Sequence, residues 1–334
     1  MLAFVSEWAN SQFGIIGSVV LFVLGLAALI KGGDWFVDGS VGIAKKLRVP
    51  ELLIGATVVS IGTTLPEVMV SATSAAKGLG SIAYGNAIGS VICNTALIAA
   101  LTVAIRPALV NRKALALPVV CFFVAAIFYC GVAIFARRFS RPVGIILLVM
   151  FVVYMVLTVI HAKKHPDEAE DEESEKDMST AKAIVLLIVG AALIAVGANF
   201  LVDNGTVIAK ALGVPDTVIA LTFVALGTSL PELVTAITSL AKGHGALSLG
   251  NVIGANIFNI VLVSGMAVTI APFDLPAAKL IGGMNASLIV DIPVMMLVMG
   301  LLTIPAVISG KLKRWQGVTL LAIYIGFIAF QFVS

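Results

Sequence analysis

Charge is scarce in this 334-residue sequence: Asp, Glu, Lys and Arg together make up 12% of it, about half the share of a typical soluble domain. A chain so poor in charge and 60% hydrophobic excludes a soluble globular class and predicts an all-α polytopic membrane protein in contact with lipid. Histidine and cysteine are equally scarce, at three residues each. Cys93, Cys121 and Cys130 have no CxxC or His-spaced pattern and lie in apolar segments, so they read as packing residues and predict no disulfide. His161, His165 and His244 fall in polar stretches and read as solvated. No HExxH, Ser/His or Cys/His arrangement occurs, and no EF-hand spacing. The expectation is a protein that is not an enzyme and has no resident cofactor. The net charge of +3 comes from short basic clusters between apolar runs, which report topology and not a nucleic-acid partner. The first residues lack the basic region of a secretory signal, so they are expected to belong to the mature chain.

Long apolar runs are what the sequence does have. They can be drawn at about 14–32, 51–76, 82–105, 115–136, 142–161, 182–209, 215–241, 247–271, 283–308 and 315–333, each near the length needed to span a bilayer. That predicts about ten transmembrane helices. The one strongly hydrophilic stretch divides them into a first five-helix unit over 1–161, an acidic linker over 162–181 and a second five-helix unit over 182–334. A gapless offset of 165 maps Glu67 to Glu232, Asp38 to Asp203, Pro50 to Pro215, Asn86 to Asn251, Gly89 to Gly254 and Asn94 to Asn259. With an odd number of spans per unit, the second repeat must lie upside down relative to the first, an inverted-topology repeat of the kind transporters use. Placing the N-terminus outside puts about 14 basic residues in inner loops against about six in outer ones. Both termini are therefore expected outside and the linker in the cytoplasm. Arg137, Arg138 and Arg141 run against this distribution.

The chemistry concentrates in GTTLPE at 62–67 and GTSLPE at 227–232. Each places a glutamate midway along an apolar span that contains no Lys or Arg. A buried carboxylate there needs a cationic partner, and a metal ion is the simplest. Helical spacing lets Ser60, Thr63, Thr64 and Glu67 share a face, and Ala225, Thr228, Ser229 and Glu232 do the same in the second repeat. Pro66 and Pro231 free carbonyl oxygens nearby and are expected to break their helices. Oxygen donors of this kind favour calcium or sodium over magnesium, which demands a tighter octahedron. The following helices carry GNAIGSVICN at 85–94 and GNVIGANIFN at 250–259. Asn86, Ser90 and Asn94, and likewise Asn251, Ala255 and Asn259, form an i, i+4, i+8 stripe beside glycines that permit close backbone approach. A single Ser, Thr or Asn in a membrane helix is commonly interhelical glue; duplication of the whole pattern argues for more. Asp38 and Asp203 sit near the ends of their spans and read as interfacial or capping residues.

These paired motifs resemble the α-repeats of the calcium/cation antiporter superfamily, in particular its bacterial sodium/calcium exchanger-like branch, over both repeats. The resemblance implies that Thr63, Glu67, Thr228 and Glu232 hold calcium. It implies sodium positions at the same glutamates with Ser60, Ser90, Asn94, Ala225 and Asn259, where Ser60 and Ala225 use backbone carbonyls. Thr64 and Ser229 complete the shells. Two positions depart from the family pattern: Asn259 replaces an acidic residue and Ala255 a serine. Only two formal charges remain, so electrogenic exchange of three sodium ions for one calcium does not follow. The expectation is a monomeric calcium/sodium antiporter of an inner membrane, with calcium and sodium as substrates. Calcium/proton exchange ranks second, because Ala87 to Ser90 and Val252 to Ala255 contain no glutamate, and a passive cation channel ranks third.

Overall fold

In lipid, backbone N–H and C=O groups must bond within the protein, which makes helices the natural form of such apolar runs. The computed structural model describes residues 2–164, 178–213, 227–276, 280–281 and 284–333. Among these are ten helices: α1 Leu2–Leu47, α2 Glu51–Ala76, α3 Gly80–Ile105, α4 Arg112–Ala136, α5 Arg141–Lys164, α6 Thr180–Ala211, α7 Leu230–Ala241, α8 Gly245–Ile270, α9 Ser287–Ser309 and α10 Arg314–Val333. Eight are long and apolar enough to cross a membrane. α7 is shorter because the start of its expected span falls outside the described residues, and α10 is a further 20-residue apolar helix.

α1 runs well beyond the apolar stretch at 14–32, with a kink at Gly14 where φ is 58°. It continues because its charges find partners: Lys31 lies 5.6 Å over the Trp35 ring, and Asp34 and Asp38 face Lys242. The expectation that prolines break the helices is corrected in α2. Pro66 lies inside a continuous helix over Ser60–Ala76. The irregularity appears as a π-turn at Gly55–Val59, with matching π-turns at Asn94–Ala99 in α3 and Asn259–Val263 in α8. A π-turn widens the helix by one residue and shifts its hydrogen-bond ladder while the helix continues. That the turns in α3 and α8 begin at Asn94 and Asn259 repeats the sequence offset in the backbone. α2 and α7 also end alike, on Lys77–Gly78 and Lys242–Gly243. Both glycines have positive φ, 76° and 92°, and Leu79 and His244 donate back to the Ser74 and Ser239 carbonyls, the Schellman arrangement only a glycine accepts readily.

α3 and α8 form the centre, with 72% and 78% of their most apolar windows buried, against 22% for α1, α5 and α6. α1 and α6 pack against each other as a long antiparallel pair. Glycines seven residues apart form the seam: a Cβ on Gly32 would lie 2.8 Å from the Leu193 Cβ, and one on Gly25 would lie 2.9 Å from the Phe200 Cβ. Without a hydrophobic driving force in lipid, close backbone packing of this kind holds helices together.

The all-α expectation needs one small amendment. Two-residue strands in the loops pair antiparallel, Ala108–Leu109 with Lys311–Leu312 and Arg138–Phe139 with Phe273–Asp274, while Leu280–Ile281 pairs locally with Met284–Asn285. The loop after α3 thus joins the loop before α10, and the loop after α8 joins the loop before α5. This exchange is what a two-fold axis between the repeats produces. Arg138, which ran against the charge distribution, lies 3.8 Å from Asp274 across one of these pairs. All three cysteines are free. His244 departs from the solvated expectation: its Nδ1 lies 2.9 Å from the Glu51 carboxylate, and both side chains are largely covered.

Candidate cation centre

α2 and α8 cross where both are stripped to backbone. A Cβ on Gly250 would overlap the Leu52 carbonyl, and one on Gly254 would overlap Ala56 and the Ser60 hydroxyl. The equivalent glycines in α3, Gly85 and Gly89, meet nothing within 4 Å among the described residues. By the repeat offset their partners would be Thr217 and Leu221, which lie outside the described set.

The close crossing brings the α2 hydroxyls onto α8. Ser60 Oγ lies within hydrogen-bond reach of the Asn251 carbonyl at 2.9 Å and of the Gly55 carbonyl at 2.8 Å, which also accepts the Ser60 backbone N–H in the π-turn. Thr63 Oγ1 lies 3.1 Å from Asn251 Oδ1. On the other side of α2, Asn86 Nδ2 donates to the Glu67 carbonyl at 3.2 Å and to Ser71 Oγ at 2.9 Å. Tyr154 from α5 donates to the Ala56 carbonyl at 2.8 Å, so α2 is braced from three neighbouring helices around its irregular turn.

Both glutamates are fully buried. Glu232 Oε1 lies 3.5 Å from Thr64 Oγ1. Among the described residues Glu67 has no hydrogen-bond partner on either carboxylate oxygen, nor has Glu232 on Oε2. Asn94 and Asn259, also fully buried, lack partners on both amide atoms among the described residues. The π-turn that begins at Asn259 packs on α2, and the one that begins at Asn94 packs on α7. A buried polar atom left without a bond costs about 1–3 kcal/mol, more when charged, and such atoms are rare in folded proteins. Here they gather on repeat-related residues and are oxygens or amides of the type that coordinate hard cations. Among the described residues no group of three or more His, Cys, Asp and Glu forms, so softer-metal sites of the usual ligand type are absent there.

Of the other expected residues, Ser90 and Ser229 are buried, Ser229 directly before α7. Thr228 lines a cavity of about 600 Å3 between α2, α6 and the start of α7. Ala225 lies outside the described residues. Sequence reasoning named Asn86 and Asn251 as part of a stripe without assigning them a task, and geometry makes them braces of α2. It did not single out Thr235 and Ser239, which extend the buried face of α7 one and two turns beyond Glu232, again with hydroxyls unpartnered among the described residues. Their spacing from Glu232 was the available signal.

This arrangement has clear relatives. A family model described as sodium/calcium exchanger protein matches residues 17–160 and 182–333. The sodium/calcium exchanger MaX1 of Methanosarcina acetivorans is 32% identical, over 94% of this chain and 98% of that one. Inner membrane protein YrbG of Escherichia coli is 32% identical over 77% and 81%. The solved sodium-calcium exchanger NCX_Mj, soaked with 2.5 mM Na+ and 10 mM Sr2+, superposes with a TM-score of 0.79 at 35% identity, over 94% of this chain and 99% of that one. With both repeats matched, the helices superposed and two buried carboxylates at the centre, this multi-pass membrane chain belongs to the sodium/calcium exchanger family.

Proposed function

We propose that the chain exchanges calcium for sodium by alternating access at one central site, with Glu67 and Glu232 as the charged ligands. The observation that carries this reading is the pair of fully buried carboxylates, contributed by repeat-related helices, with three of their four oxygens unpartnered among the described residues. Thr63, Thr228, Thr64 and Ser229 add hydroxyl oxygen, Asn94 and Asn259 amide oxygen, Ser90 a hydroxyl, and Ser60 and Ala225 main-chain carbonyls. Two carboxylates are neutralised by one calcium or by two sodium ions, so occupancy by one species excludes the other and the exchange is electroneutral.

The exchanger works as a monomer in a plasma or inner membrane, since both repeats and both carboxylates come from one chain. Residues 1–161 and 182–334 act as the two inverted halves, and 162–181 connects them in the cytoplasm with both termini outside. The exchanged pairing of loop strands supports this inversion, and the distribution of basic residues supports the orientation. Calcium uptake into proteoliposomes under an outwardly directed sodium gradient tests the function. Uptake that needs internal sodium is expected, and uptake driven equally by a proton gradient without sodium would overturn the coupling. Cysteines placed at Ser174 and Ser334 in a cysteine-free background test the topology: labelling from opposite faces is expected, and labelling from one face would refute the inverted halves.

A further inference from the structure

The two repeats are related in sequence but packed differently against the α1–α6 pair. α1 lies directly on α7. A Cβ on Gly33 would lie 2.8 Å from both Thr238 Oγ1 and Val234 Cγ1. One turn further, Lys242 Nζ binds Asp38 Oδ1 at 2.7 Å and the Asp34 carbonyl at 3.1 Å, with the Asp34 carboxylate at 3.5 Å. The repeat offset turns Gly33, Asp34 and Asp38 into Ala198, Asn199 and Asp203 on α6, and Val234, Thr238 and Lys242 into Met69, Thr73 and Lys77 on α2. At that second position the helices stand apart: Ala198, Asn199, Asp203, Pro66 and Met69 line the 600 Å3 cavity, which reaches Thr228. The same set of residues is therefore shut on one face of the molecule and open on the other.

α7 also carries a buried polar track, on the face next to the stripe that meets α1. Thr235 and Ser239, fully buried and without hydrogen-bond partners among the described residues, run from Glu232 along α7 toward the end that carries Lys242. Hydroxyls of this kind serve no packing purpose in an apolar interior and cost free energy unless something polar visits them.

We propose that Lys242, bridged to Asp34 and Asp38, is the latch that holds α1 over α7 and closes the route from the central site past Thr235 and Ser239. In the opposite state Lys77 engages Asp203 and Asn199, and the cavity between α2 and α6 closes. The inference rests on the alternating-access reading above and adds to it the residues that hold each state. Lys242 is suited to the task because it ends α7, where a cation faces the helix carbonyls favourably, and it is only partly exposed, so its ion pair is less screened than a surface pair. Lys242 is a positioning residue, since it touches no transported ion.

Two single-cysteine reporters in a protein with Cys93, Cys121 and Cys130 replaced by alanine test the proposal. Thr238→Cys reports the seal under α1, and Val202→Cys reports the open cavity. A membrane-impermeant maleimide is applied to the full chain in proteoliposomes, with access to both faces. Lys242→Met is expected to raise the labelling rate at Thr238→Cys severalfold and to lower it at Val202→Cys. The charge reversal Lys242→Asp with Asp38→Lys should return both rates toward the starting values. Rates that rise together would indicate general loosening and overturn the latch, as would unchanged rates or a charge reversal that restores neither. Labelling does not require transport. Opposite shifts in a protein with no sodium-dependent calcium uptake would therefore defeat the functional reading and leave the latch standing, whereas normal uptake with unmoved labels would do the reverse.

Discussion

Thr63 and Thr228 occupy the same place in their motifs, yet their surroundings differ. Thr63 sits mid-helix in α2 and is tied to Asn251 of the other repeat. Thr228 lies in the turn before α7, half-buried, on the wall of the cavity. The carboxylates differ in parallel: among the described residues Glu232 has a threonine hydroxyl at one oxygen, while Glu67 has none at either. Identical motifs have thus been given one clamped and one accessible role. An inverted repeat permits this, because two packings of equivalent elements can exchange places without any change in sequence.

The strongest way to break the comparison is to remove the charges. Glu67→Gln and Glu232→Gln should each lower sodium-driven calcium uptake about a hundredfold or more, because losing one member of a buried charge set costs on the order of 3 kcal/mol. Flux in proteoliposomes at equal protein density is the measurement, and normal uptake by either variant would show that the repeats do not share the ion. Next in size is the helix crossing. Gly250→Ala forces α8 off the Leu52 carbonyl and should cost about 1–3 kcal/mol, read as a lower thermal midpoint in detergent. Gly85→Ala, with nothing within 4 Å among the described residues, should stay within about 1 kcal/mol of the parent. Equal losses would mean that α3 is crossed as tightly as α8.

The two threonines sharpen the contrast further. Thr63→Ala leaves Asn251 short of a partner and should lower both calcium affinity and stability, the latter by about 1 kcal/mol. Thr228→Ala should weaken calcium binding by a similar few-fold with no shift in thermal midpoint. A stability loss from Thr228→Ala would remove the distinction between clamped and accessible sides. The smallest expected effect is electrical. Wild-type flux, clamped at different potentials with potassium and valinomycin after a control for direct potassium coupling, should not respond to voltage. One net charge per cycle would be worth about 2.3 kcal/mol per 100 mV. Asn259→Asp adds a carboxylate and should raise sodium affinity and introduce voltage dependence. Voltage-dependent wild-type flux would mean that a third sodium binds without that charge.

Much of this protein was legible in the chain because the constraints are local. Apolar runs of bilayer length must be helical, and the 165-residue offset exposed the repeat, the inverted topology and both glutamates before any packing was considered. The close glycine crossing at Gly250 was also foreseeable, since a missing Cβ on an interhelical face invites backbone contact. Other features depended on partners far away in sequence. The charges of α1 ended its apolar run on paper, yet Lys242, more than 200 residues later, carries the helix past them. His244 looked solvated until Glu51 was placed beside it. The prolines suggested broken helices, whereas the tertiary setting accommodated Pro66 inside α2 and moved the irregularity to a π-turn braced by Tyr154.

The sequence by itself determined the spans, the symmetry and the placing of two carboxylates in apolar segments, because bilayer thickness, helical periodicity and the cost of an unpaired carboxylate act on each segment separately. Which side is shut was decided only by tertiary structure. By the latch proposed above, two nearly equivalent sets of residues can close against the α1–α6 pair, around Gly33 and Lys242 or around Ala198 and Lys77, and nothing within either repeat states which one is closed. That choice belongs to the packing of whole helices, where two arrangements of similar free energy compete and only one is occupied at a time.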